Sequence, residues 1–135
     1  VGTDPIVKQD RTSNGTQPTP TAKTTTVTLT AAELLTQIIT GTHTAGATQN
    51  YTLPTGTLLD AAGSWDVNEY FDWSLINLSA AAADTITVLA GTDHTVVGTM
   101  VVASAHSTTG LLYGNAARFR TRKTAANTFV TYRIT

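Results

Sequence analysis

Apolar residues in this chain of 135 residues recur mostly at a spacing of two, in short runs cut off by Gly, Asn, Asp and Pro. That pattern restricts the chain to short, half-buried strands, because successive side chains of a strand face opposite sides and only one side here is apolar. The longest instance is residues 70–78 (YFDWSLINL), with Phe71, Trp73 and Leu75 on one face and Asp72, Ser74 and Ile76 on the other. Residues 24–30 (TTTVTLT) alternate in the same way. Further strands are expected over residues 50–53, stopped by Pro54, and over 85–89, 94–97 and 100–103. Residues 117–123 and 128–134 complete the set, joined by a turn over 124–127. Thr fills 30 positions and Ala 18, a composition that supplies β-branched and small side chains for such strands. The expected fold class is all-β, a jelly-roll-like β-sandwich.

One segment carries a helical signal. Thr30 and Glu33 have the S/T-x-x-E spacing of a capping box, in which each side chain bonds the other's free backbone N–H. Leu34, Leu35, Ile38 and Ile39 share a helical face, and Gly41 stands where a left-handed residue closes a helix. These features predict one short N-terminal helix of two to three turns, packed as a lid or plug.

Residues 1–23 contain Pro5, Pro18, Pro20 and the pair Asn14 and Gly15, and their only aliphatic side chains larger than Ala are Val1, Ile6 and Val7. Such a segment cannot bury enough apolar surface to offset its ordering entropy. It is expected to be an extended N-terminal arm ahead of a domain over residues 24–135, with Ile6 and Val7 as its apolar anchor. Fully extended, an arm of this length reaches at most ~75 Å.

The net charge of −1 conceals blocks: residues 1–23 sum to +1, residues 24–117 hold seven acids and no Lys or Arg, and residues 118–135 sum to +5. A polarised subunit of this kind suits association through complementary fields. Arg118, Arg120 and Arg122 lie at period two and share one face of one strand, while Phe119 and Thr121 face the other way. Their forked guanidinium groups either grip carboxylates of a neighbouring subunit or form a solvated face neutralised within the monomer. With Arg133, they form the expected subunit interface. The near-neutral total argues against nucleic acid or an acidic membrane as partner. Nucleic-acid binding would also add exposed aromatics, whereas Phe119 and Phe129 read as core. No apolar run approaches the ~18 residues that cross a bilayer, and residues 1–10 lack the blocks of a signal peptide.

Catalytic chemistry finds little support. With no cysteine, disulfides, thiol nucleophiles and zinc-thiolate sites are excluded. His43, His94 and His106 do not have metal-ligand spacing. Asp93 beside His94, and Ser107 beside His106, are strand neighbours that point to opposite faces. GTDHTVVG over residues 91–98 lacks the pattern of a phosphate loop. No catalytic, cofactor-binding or metal site is expected, and the chain is read as a non-enzyme. A small hydrolase using Asp93, His94 and His106 is the reading that these residues leave open.

Five segments, TVTLTAAELLTQIITGT, NYTLPTGTLLDAA, DVNEYFDWSLINLS, DTITVLAGTDHTVVGTMVV and ARFRTRKTAANTFVTYRI, follow one another across about residues 26–134. Together they resemble a module recurrent in structural proteins of tailed bacteriophages. Its most specific parts are Tyr-Thr-Leu-Pro at residues 51–54, the aromatic strand at 71–77 and the closing Arg-Phe through Tyr132, Arg133 and Ile134. The resemblance implies a small β-sandwich projecting from a capsid or fibre, usually as a trimer, with no catalytic residues. The expected function is a capsid decoration (cement) protein on the exterior of the virion. It would stabilise the head by binding major capsid protein through Ile6, Val7, Lys8 and Arg11, and would self-associate as a homotrimer. The alternative is a head- or tail-fibre knob that stacks a host-surface glycan on Trp65 or Tyr113.

Overall fold

The computed structural model describes residues 15–106 and 114–135. Among them, ten strands form two sheets. The larger contains β1 (Thr21–Lys23), β3 (Ile38–Gly41), β5 (Tyr70–Asn77), β9 (Ala116–Ala125), β10 (Thr128–Arg133) and β7 (His94–Val97), in the spatial order β1-β3-β5-β9-β10-β7. The smaller contains β2 (Val27–Thr28), β4 (Gln49–Thr52), β6 (Ile86–Leu89) and β8 (Val101–Val102), in chain order. Two short helices, α1 (Ala31–Leu34) and α2 (Gly56–Ala61), complete the described elements. The protein is therefore mostly β, as the spacing of its apolar residues predicts. Both sheets are mixed: β5, β9 and β10 pair antiparallel, while β3 joins β5, and β7 joins β10, in parallel.

Strand alternation places the core where it was expected. Trp73, Leu75 and Asn77 of β5 face inward opposite Ala117, Phe119 and Thr121 of β9, all buried. They meet Tyr51, Ile86, Val88 and Val102 from the smaller sheet in one shared core. Trp73 stacks on Phe119 with ring centroids 4.5 Å apart. Each ring at this depth contributes roughly 2–3 kcal/mol from area removed from water. Gly41 belongs to this layer because a Cβ there would run into the Tyr51 hydroxyl and the Ile86 side chain.

The helix at Thr30 is shorter than predicted. Its capping box is present, with Glu33 N–H donating to Thr30 Oγ1 at 3.1 Å and Thr30 N–H to Glu33 Oε1 at 3.0 Å. The helix nevertheless ends at Leu34, and Ile38 and Ile39, expected on its face, lie in β3. Gln37 adopts φ of 70°, which reverses the chain, and the β-branched run Ile38, Ile39 and Thr40 then pairs with β5. Sheet pairing that buries Ile39 outweighs a helical continuation in which branched side chains crowd the preceding turn.

Three boundaries also differ. Thr21–Lys23, grouped with the arm by composition, is β1 and pairs with Ile39 to Gly41. The loop between β9 and β10 is two residues, closed by Asn127 at φ of 56°. The sequence reading did not anticipate α2. Its N-cap is Thr55, whose Oγ1 accepts from Leu58 N–H at 3.2 Å.

Candidate functional site

The outward face of β5, β9 and β10 concentrates the polar side chains that sequence reasoning singled out. Alternation along β9 sends Arg118, Arg120 and Arg122 outward while Phe119 and Thr121 are buried. Register then sets Asp72 of β5 opposite Arg120, Ser74 opposite Arg118, and Tyr70 opposite Arg122. Asp72 accepts from Arg120 through both carboxylate oxygens, at 2.7 and 2.9 Å, and from Arg118 at 2.9 Å. The Arg120 hydrogen bonds, with support from Arg118, hold the Asp72 carboxyl below the usual carboxylate range against the opposing effect of its partial burial. The carboxylate that these two arginines grip thus lies in the same chain.

Aromatic rings shape the rest of the face. The Arg120 guanidinium sits 3.9 Å from the centroid of Tyr70, a cation-π contact that orients both groups. Arg122 donates to the Tyr132 hydroxyl at 2.9 Å and to Asn68 Oδ1 at 2.6 Å. Arg133 ties the two sheets together by donating to the carbonyls of Thr99 and Val101, at 3.0 and 2.7 Å. Arg133, paired with inward-facing Phe119, is thus on the side opposite to the expected stripe, and three guanidinium groups against the Asp72 carboxylate leave the outward face positive.

The acids gather elsewhere, around the turn between β9 and β10. Asp60 accepts from Lys123 Nζ at 2.9 Å and from Asn127 N–H at 2.8 Å. Those two bonds, Lys123 first, lower its pKa. Glu69 lies beside Lys123, exchanging backbone hydrogen bonds with it, and the Asp93 carbonyl accepts from Phe129 N–H. The charge blocks of the sequence are thus only partly separated in space: Asp60, Glu69 and Asp93 lie near the turn, whereas Asp72 sits among the arginines, Glu33 pairs with Lys23, and Asp84 is buried where it accepts from Gly46 N–H.

Beneath the arginine face a polar chain crosses the core. His94, fully buried, donates from Nδ1 to the Pro54 carbonyl at 2.8 Å. A carbonyl only accepts, so the ring proton sits on Nδ1. Burial holds the ring's pKa below its ordinary 6.5 despite the opposing Pro54 bond, and so keeps the ring neutral. Nε2 is then an acceptor and takes the Thr131 hydroxyl at 2.7 Å. Thr131 Oγ1 accepts from the Thr121 hydroxyl at 2.7 Å, and Thr121 Oγ1 from the Trp73 indole N–H at 2.9 Å. Every hydrogen on this path has one direction, set at one end by an indole that only donates and at the other by a carbonyl.

These contacts bear on the chemistry weighed from sequence. His94 is turned into the core, while Asp93 is exposed at φ of 54°, so the adjacent pair does not cooperate. His43 is likewise buried, with Nε2 2.6 Å from the Tyr51 hydroxyl, whose pKa burial pushes up to about 12. Among the described residues, no three His, Asp or Glu side chains converge as a metal site would require. Trp65, expected to be an exposed stacking platform, is instead half-buried. Its ring packs on Phe71 and Phe129, with centroids 5.3 and 6.4 Å away, and its N–H donates to the Leu59 carbonyl. The ring fills the small core between α2 and β10, and periodicity could not reveal this because Trp65 stands alone in a polar loop. Tyr113, Ser107 and the arm residues Ile6, Val7, Lys8 and Arg11 lie outside the described residues.

No protein-family model, curated protein or solved structure matches this chain.

Proposed function

We propose that the chain is a non-enzymatic virion structural protein, a capsid decoration (cement) protein on the exterior of a tailed-phage head. Its domain is a jelly-roll-like sandwich. The arm residues Ile6, Val7, Lys8 and Arg11 bind major capsid protein, and the face bearing Arg118, Arg120 and Arg122 supports self-association as a homotrimer. The observation that carries this reading is the way the chain enters the domain. Residues 15–20 are exposed and irregular, Gln17 anchors on the Thr36 carbonyl at 2.7 Å, and β1 then joins the outer edge of the six-stranded sheet. A segment preceding that point starts at a sheet edge on the surface, within reach of a neighbouring subunit. A homotrimer is supported by the positive face of Arg118, Arg120 and Arg122, which the acids near the β9–β10 turn of another copy would complement.

Quantitative mass spectrometry of purified virions tests the assignment. Cement predicts hundreds of copies per particle, whereas a few dozen would favour the fibre-knob alternative and none would end the virion reading. Removing residues 1–14, which leaves β1 in place, is expected to abolish capsid occupancy while the domain stays folded. Undiminished occupancy would refute the arm as the clamp.

A further inference from the structure

We propose that the six-stranded sheet contains a strand-accepting slot beside β5, and that its occupant is an extended peptide segment of a partner protein bearing a carboxylate. The slot is a property of the isolated chain, and one of its walls is Gln17, on which the chain enters the domain.

It exists because β3 begins late. Ser74 N–H donates to the Gln37 carbonyl at 2.8 Å, so the even-numbered residues of β5 present their backbone groups toward β3. By strand alternation Asp72 presents its N–H and C=O to the same side. Pairing with β3 starts only at Ser74, and on that side no described strand lies opposite Asp72. The chain reaches β3 through the reversal at Gln37, and β1 pairs only with Ile39 to Gly41, so beside Asp72 the sheet has neither of its outer strands. What lies there instead is an open groove of about 550 Å³, lined by Gln17, Gln37, Ile38, Asp72, Ser74 and Arg118 among others.

An unpaired strand edge lining an open groove is the geometry by which sheets accept an added peptide. The groove's chemistry selects the side chain. Asp72 is already shared by two guanidinium groups, while Arg118 commits one nitrogen to it and keeps a side chain that is 56% exposed. The remaining charge at the rim is positive, which favours a carboxylate on the incoming strand. Gln17, whose side-chain amide donates to the Pro18 and Thr36 carbonyls, and Gln37 form the opposite wall.

Amide-resolved NMR of the full chain, titrated with the extended peptides Ac-TVDVT-NH2 and Ac-TVKVT-NH2, tests this. The aspartate peptide is expected to shift the Gln37, Asp72 and Ser74 amides and to slow hydrogen exchange at Asp72. It should bind roughly tenfold more tightly than the lysine peptide, and Arg118→Ala should erase that difference. Gln17→Ala, on the opposite wall, should weaken both peptides alike. Equal binding of the two peptides by the unsubstituted chain would overturn the carboxylate assignment. Shifts confined to other surfaces would overturn the slot. An Asp72 amide already protected in the chain alone would mean that the protein fills the groove itself, by its own segment or a second copy, and would overturn the partner as occupant.

Discussion

At the scale of the residue, the most consequential group is His94, whose neutral ring terminates a directed hydrogen-bond path through the core. Its folded pKa lies below the ordinary 6.5, so the unfolded chain binds the extra proton first. Stability from His94 is therefore complete above about pH 6.5 and is lost as pH falls from there through the folded value. Unfolding free energies from urea titrations between about pH 7.5 and 5 should fall by up to about 1.4 kcal/mol per pH unit, and His94→Gln should flatten the profile in that window. The carboxyls of Asp72 and Glu33, both lowered, act later. Their contribution is present above the usual carboxylate range and is lost as pH drops below about 4. A second residue-scale test concerns Thr121, which accepts from Trp73 and donates to Thr131. Thr121→Val leaves a buried indole N–H without its acceptor and should cost about 1–3 kcal/mol in equilibrium unfolding. Combined with Thr131→Val, the loss should be smaller than the sum of the two single losses, since both belong to one network.

Elements show where local signals hold and where they yield. The capping box at Thr30 was readable because it depends on two side chains three residues apart, and it formed as read. The length of that helix was not readable, because Ile38 and Ile39 satisfy a helical face and a strand equally well until a partner strand is present. Only the register with Ser74 and Leu75 decides between them. Helix α2 escaped notice for the opposite reason. Its six residues have no long apolar period, and its start is fixed by tertiary contact at Gly56, where a Cβ would strike the backbone of Asn127 and Asp93. Gly56→Ala is accordingly expected to destabilise the protein by roughly 1–3 kcal/mol, read as a lowered thermal midpoint. An alanine at exposed Gly15, where a Cβ meets nothing, should be nearly silent.

For the whole molecule, the issue is how the charge blocks are used. Asp72 neutralises part of the arginine stripe within the chain, but its guanidinium partners are substantially exposed. Asp72→Asn should therefore change stability by less than about 1 kcal/mol while making the face more positive. If acidic turns and basic faces of separate copies assemble the proposed trimer, its dissociation constant should rise about tenfold between low and moderate salt. Sedimentation equilibrium measures this directly, and an oligomer indifferent to salt would show that charge does not hold it together. The expected outcome for Arg122→Glu is a weaker trimer with the monomer fold retained.

The sequence by itself determined the β-rich class, the inward and outward faces of β5 and β9, and the common face of Arg118, Arg120 and Arg122. These follow from the two-residue period of a strand, which is a property of the backbone alone. It also marked His94 and Trp65 as residues to place, without placing them. Tertiary structure alone decided that Asp72 meets the arginines, that Trp65 is packed, that His94 and Thr131 join a path reaching Trp73, and that β3 begins late and leaves a groove. Each of these depends on which strands become neighbours and in what register. Many of those pairings join distant residues, 37 positions apart for Thr131 with His94 and 48 for Trp73 with Thr121, a distance over which no local pattern carries information.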